Sequence, residues 1–222
     1  MPRYEAVLFD LLSALIDSWS LFNAIAGSEQ QGSVWRKAFL RRAYATGAYA
    51  PYESLLRDSA LDVGMPESAG GEVVRRWSEL QPWPEAAAVL SELSKSVRIG
   101  TVTNCSEILG AAAAARVGVP FSVLVTAERS GFYKPDPRTY RLAIAEIGAP
   151  PERILFVAGS PGDVGGASGA GMDVYWHNRM RLPYPSWGRR PRGSPHPPRP
   201  DPQRPFPHPA HRLTQAATDL AR

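Results

Sequence analysis

The sequence predicts an α/β fold: a doubly wound, parallel-sheet (Rossmann-like) core with a helical cap inserted after the first strand. Three observations carry this reading. Five short apolar runs, "YEAVLF" (4–9), "VRIGTVT" (97–103), "SVLVT" (122–126), "RILFVA" (153–158) and "DVYW" (173–176), read as buried strands. Helical stretches separate the later runs, and strands alternating with helices of about ten residues predict parallel pairing. The first two strands are separated by a long interval, residues 17 to 95, with helical spacing and no convincing strand.

The first strand runs into "AVLFDLLSAL", where Asp10 stands alone among apolar residues. A carboxylate there is costly if it is buried and idle, so it needs a use. In the interval that follows, Trp35, Phe39 and Ala43, and later Val73, Val74, Trp77 and Leu80, recur at helical spacing. Such a segment, placed straight after the first strand, is expected to sit over the sheet as a cap. Beyond it, "SEILGAAAAARVG" and "DPRTYRLAIAEIG" begin with the expected caps Ser106 and Asp136 and end with Gly118 and Gly148. A third helical stretch, "DVGGASGAG", precedes the last strand. The expected organisation is an α/β core from 1–16 and 96–178, a cap from 17–95, and a tail from 179–222.

The 222 residues suffice for one sizeable core with a smaller companion. The net charge of +4 is unevenly spread: residues 1–178 carry 16 Lys and Arg against 19 acids, whereas residues 179–222 carry nine Arg against two Asp. That tail also holds 11 of the 22 prolines and is expected to be extended and polyproline-like. It lacks the interleaved aromatics of a base-stacking platform, so no nucleic-acid partner is expected. One cysteine, Cys105, excludes an internal disulfide framework and suits a reducing, cytoplasmic setting. No apolar run approaches the roughly 18 residues of a membrane helix, and the N-terminus does not read as a secretory signal.

Ligands of open parallel sheets bind at the carboxyl ends of the strands. Four polar groups fall at such ends: Asp10 after the first strand, Thr103-Asn104 after the second, Lys134 in "RSGFYKPDP" after the third, and Ser160 with Asp163 in "AGSPGD" after the fourth. Four chemically capable groups, each after its own strand, point to a catalytic pocket rather than to stabilising features.

This pattern resembles the haloacid dehalogenase-like hydrolase superfamily across residues 4–178, whose four motifs match Asp10, Thr103, Lys134 and Asp163 in order. It is most similar to the L-2-haloacid dehalogenase branch, through "FDLLSALID", "VWRK", "YKPDPRTYRLA" and "ILFVAGSPGDVGGASGAGM". The resemblance implies that Asp10 is a nucleophile forming a covalent ester. Lys134 would hold it charged and oriented, and Asp163 would orient Lys134 or the hydrolytic water. Thr103 and Asn104 would donate to the substrate carboxylate or to Asp10. Leu11, Leu12, Tyr140 and Ser160 would line the substrate site. Arg36 in the cap, ahead of Arg41 and Arg42, would receive a departing halide or hold a carboxylate. His177, past the last core strand, is expected to make a structural hydrogen bond.

The departures are informative. Phosphatases of the superfamily carry a second acid two residues after the nucleophile and hold Mg²⁺ with fourth-motif acids; here Leu12 and Gly159 stand at those places. The resemblance therefore implies a metal-free, cofactor-free pocket directed at carbon. Dehalogenases usually show Gly-Thr where this chain has Ser13-Ala14, and Ser, Asn and an aromatic where it has Ala158, Ser160 and Gly162. They also usually carry an aromatic at the position of Leu12. The expected partner is a small carboxylic acid, with a homodimer left open. The expected reaction is displacement of halide from C2. Ring opening of an azetidine-2-carboxylate type, a phosphatase activity and a catalytically silent binding protein stand as alternatives.

Overall fold

The structure is a computed structural model that describes residues 3–183. Strand β1 (Ala6–Asp10) is central to a five-stranded parallel sheet of order β5-β4-β1-β6-β7. Its neighbours are β4 (Arg98–Thr103), in register with Asp10 opposite Val102, and β6 (Ile154–Ala158). Strands β5 (Val123–Thr126) and β7 (Asp173–Trp176) close the edges. The alternation of β1 explains why an unbroken apolar run suits it. Val7 and Phe9 enter one core cluster, Ala6 and Leu8 the other, so both faces are buried.

After β1 the chain makes one wide helical turn, Leu11–Leu15, in which the Ile16 amide reaches back to the Leu11 carbonyl. It then pairs as the short β2 (Ile16–Asp17) with β3 (Gln81–Pro82) in antiparallel fashion. This two-stranded ribbon corrects the expectation that residues 17–95 hold no strand. It ties together the two ends of a helical segment made of α1 (Ser18–Ala26), α2 (Glu29–Thr46), α3 (Tyr52–Leu61) and α4 (Ser68–Arg75). The segment has its own aromatic centre. Trp35 lies 4.6 Å from Phe22, and Tyr52 sits edge-on to both Phe39 and Trp77. Indole N–H groups fasten its C-terminal end to the core, Trp77 donating at 2.9 Å to the carbonyl of Leu109, in a helix beside the sheet, and Trp83 at 3.1 Å to that of Ser13 in the wide turn.

Helix α5 (Ala86–Leu93) packs beside β4. Helix α6 (Glu107–Arg116) lies in the same core cluster, through Leu109 and Ala113. The opposite face of the sheet is covered by α8 (Pro137–Ile147) and α9 (Pro161–Gly169), through Tyr140, Ala143, Val164 and Ala167. A short helix, α7 (Ala127–Ser130), leads from β5 toward the Lys134 loop.

Asp136 caps α8 as expected, accepting from the Arg138 amide at 2.9 Å, and Gly148 ends it in the left-handed region at φ +68°. Ser106 does not cap α6 with its side chain. The Glu128 carboxylate accepts from the Glu107 amide instead, at 2.6 Å, because a charged acceptor at a helix start outcompetes a hydroxyl. Helix α9 starts two residues before "DVGGASGAG", with Pro161 at its first position, so Asp163 lies inside its first turn. His177 is buried; its backbone N–H donates to the Ala158 carbonyl at 2.8 Å, while its Nε2 has no partner. The Pro/Arg-rich tail expected from 179 lies outside the described residues beyond 183. Its first residue, Arg179, pairs with Glu85 and lies over the Trp83 ring.

Candidate active site

Asp10 ends β1 and is 6% exposed, directly below the helical segment. Lys134 reaches it from the loop after α7. Its ammonium donates to Asp10 Oδ1 at 2.8 Å and to the Val102 carbonyl at 2.9 Å, and it lies 3.0 Å from Asp163 Oδ1. Three acceptors use the full capacity of an ammonium. Burial alone would push the Lys134 pKa down, but the two carboxylates outweigh it and hold it above the ordinary lysine value. Asp163 is pushed upward, chiefly by burial; Lys134 offsets part of that shift.

Asp163 is held from three sides. Besides the ammonium, Tyr140 donates to Oδ1 at 2.8 Å and Ser160 to Oδ2 at 2.9 Å. Tyr140 itself is fully buried, edge-on to Phe156, and acts on Asp163 from below without lining the cleft. Asn104 uses its side chain as a clamp: Oδ1 accepts from the Lys134 amide at 2.7 Å and Nδ2 donates to the Lys134 carbonyl at 3.1 Å. The loop is further clipped to the helical segment by Tyr133, whose hydroxyl donates to the Ala50 carbonyl at 2.7 Å.

Arg36 enters from α2 and is 3% exposed. Its guanidinium lies 5.2 to 5.6 Å from the ring centres of Trp19, Phe22 and Phe39. Nη2 makes a long contact of 3.4 Å to the Ser18 hydroxyl, while Nε and Nη1 are buried with no partner. A guanidinium desolvated in this way is normally paired with an anion. Arg42 differs, pairing with Asp62 near the surface, and neither Arg41 nor Arg42 lines the cleft.

A narrow cleft opens between these groups. Asp10, Leu12, Arg36, Thr103, Asn104, Lys134 and Ser160 all line it. Thr103 presents a buried Oγ1 with no hydrogen-bond partner. Leu11 is fully buried in the core and does not line the cleft with its side chain. Phe39, Leu40, Tyr44 and Ser13 also line it and were not singled out as site residues from the sequence. Positions 36, 40 and 44 recur every four residues along α2, so the stripe that carries Arg36 was the available signal.

The donor set does not fit a phosphatase-type Mg²⁺ site. A Cβ at Gly159 would lie 2.5 Å from Asp10 Oδ2 and 2.4 Å from the Ala14 nitrogen, so this backbone has no room for an acid there. The space between Asp10 and Asp163 is taken by an ammonium. No cluster of three metal-ligating side chains occurs among the described residues.

A family model for haloacid dehalogenase-like hydrolases matches residues 4–171. Among curated relatives, haloacetate dehalogenase H-2 of Moraxella sp. is 27% identical over 208 residues, covering 86% of this chain and 93% of that one. An (S)-2-haloacid dehalogenase of Xanthobacter autotrophicus is 28% identical, covering 77% and 73%. A solved structure of L-2-haloacid dehalogenase from Xanthobacter autotrophicus, with chloropropionic acid covalently bound, aligns with a TM-score of 0.69 at 28% identity, covering 77% of this chain and 76% of that one. No described helix is long and apolar enough to cross a membrane.

Proposed function

This chain belongs to the haloacid dehalogenase-like hydrolase family, and from its site we propose that it displaces halide from C2 of a small 2-haloacid through an ester on Asp10. The observation that carries the reading is the opposition of two groups across one cleft. On one side is a carboxylate backed by a lysine ammonium; on the other is a buried guanidinium with unpaired donors.

In the first step an Asp10 oxygen attacks C2 in line. The C–O ester bond forms as the carbon–halogen bond breaks, and the halide departs with its electron pair to the Arg36 N–H groups. Thr103 supplies an unpaired hydroxyl for the substrate carboxylate. In the second step water adds to the Asp10 ester carbonyl and gives up a proton, releasing a 2-hydroxy acid inverted at C2 and restoring the carboxylate. Asp163, whose proton affinity is raised by burial, takes up that proton through the Ser160 hydroxyl, which lines the cleft and donates to its Oδ2. Lys134 stabilises the charge that develops on the ester oxygen.

Helices α1 to α4 serve as the cap that brings Arg36 over the nucleophile, while α5, packed beside β4, goes with the core. The sole cysteine is free and buried, which fits work in the cytoplasm. The test is mass spectrometry of enzyme quenched during turnover of chloroacetate or (S)-2-chloropropionate. An adduct on the peptide containing Asp10, and none in Asp10→Asn, is the expected result. Full halide release by a homogeneous Asn variant would sink the assignment.

A further inference from the structure

On the dehalogenase reading, the sheet order sets the directions open to the substituents of C2. Asp10 is on the central strand, Thr103 is on its β4 side, and Ser160 is on its β6 side. In-line displacement places the attacking oxygen and the halide on opposite sides of the carbon, leaving the other three groups in the plane between. With the carboxylate beside the unpaired Thr103 hydroxyl on the β4 side, the third substituent and the hydrogen share the β6 half of that plane. That side is closed by Tyr44, which descends from α2 two turns beyond Arg36.

Tyr44 is seated where the fourth motif leaves space. A Cβ on Gly162 would lie 2.6 to 3.0 Å from three of its ring carbons, so ring and glycine are in direct contact. Its hydroxyl is buried beside Ser160 without the geometry of a hydrogen bond to it, and has no other partner. Burial, with Asp163 adding to it, pushes the phenol pKa up to about 12, so the group stays a donor. Hydrocarbon placed against an unpaired buried donor leaves it permanently unsatisfied.

Building on the dehalogenase reading above, we infer that Tyr44 sets the third-substituent subsite and restricts the enzyme to two- and three-carbon 2-haloacids. The ring walls off the space an alkyl chain would need, and the hydroxyl makes the remaining space unfavourable for one. Tyr44 is a specificity-determining residue in this role, distinct from the groups that perform displacement.

The experiment is halide release from chloroacetate, (S)-2-chloropropionate and (S)-2-chlorobutanoate by wild type, Tyr44→Phe and Tyr44→Ala, read as ratios of kcat/KM. Ratios cancel any loss of folded enzyme. Wild type should prefer chloroacetate to chlorobutanoate by at least about tenfold, the scale of a misfit methylene group. Tyr44→Ala should raise the chlorobutanoate-to-chloroacetate ratio by about tenfold or more, and Tyr44→Phe by less. Wild-type preference for chlorobutanoate, or an unchanged ratio in Tyr44→Ala, overturns the inference while leaving the dehalogenase reading intact. Release of halide from none of the acids by wild type overturns that reading and the inference with it. Should Tyr44→Ala not fold, the wild-type and Tyr44→Phe profiles still decide the question.

Discussion

Replacing Lys134 by Met removes one charge at similar volume and leaves Asp10 and Asp163 facing each other. Their Oδ1 atoms lie 2.8 and 3.0 Å from the same nitrogen, hence no more than about 6 Å apart. Two unit charges about 6 Å apart at an effective dielectric of about 20 repel by about 3 kcal/mol, in line with the roughly 3–5 kcal/mol lost when one partner of a buried pair is removed. A fall in melting temperature of roughly 6–12 °C at pH 8 follows for a chain of this size. The sign with pH is fixed. Asp163 is already raised by burial, and without the ammonium it rises further above its unfolded value. Its protonated form therefore relieves the repulsion at low pH, and the deficit grows as pH rises through the folded pKa. Urea denaturation of both proteins at pH 5 and pH 8 should show a smaller deficit at pH 5. Halide release should fall by at least about 10²-fold in kcat/KM, the scale of losing one preorganised electrostatic group. Near-normal turnover with an equal deficit at both pH values would show that Lys134 does not hold these two carboxylates together.

Arg36→Met should lose at least about 10²-fold in kcat/KM, the scale of losing one preorganised electrostatic group, yet differential scanning calorimetry should find it no less stable than wild type, because two buried unpaired nitrogens disappear with the charge. Activity should survive exhaustive dialysis against EDTA, since Gly159 has no room for a ligand and an ammonium fills the space between the carboxylates; restoration of lost activity by Mg²⁺ would contradict this. His177 is held below its ordinary pKa by burial and by Arg179, so it contributes stability above about pH 6.5 that is lost as pH falls through the folded value. Melting temperatures measured between pH 7.5 and 5.5 should drop more in wild type than in His177→Asn.

The sheet was legible because its central strands β1, β4 and β6 are buried on both faces and read as apolar runs, while the turns between are marked by Pro, Gly and Asp. The ribbon of Ile16–Asp17 with Gln81–Pro82 was not, because two residues show no periodicity and their pairing spans more than sixty positions. Nor could sequence choose between Ser106 and Glu128 as the acceptor for the first amide of α6. Only tertiary folding brings α7 against that helix end.

The charged centre of the site was legible for a different reason: an isolated acid or lysine at a strand end has few structural uses, so Asp10, Lys134 and Asp163 stand out from their surroundings. The roles of their supports were less so. Asn104 looks from sequence like a substrate ligand, yet both ends of its amide are bound to the Lys134 backbone. Tyr140 looks like a pocket wall and instead holds Asp163 from below. Both cases have one cause: a buried ion triad needs every lone pair and proton satisfied, so polar residues near it are drawn into positioning it. The glycines carried the opposite kind of information. At Gly159 and Gly162 the sequence shows only a missing side chain, and the meaning lies in what fills the space. Beside Gly159 it is the Asp10 carboxylate, which leaves no room for a metal-binding side chain. Beside Gly162 it is the Tyr44 ring, contributed by a helix more than a hundred residues earlier. With this wall supplied by α2 in place of the fourth motif, Arg36 and Tyr44 ride on one helix, so any motion of that helix carries both sides of the cleft together.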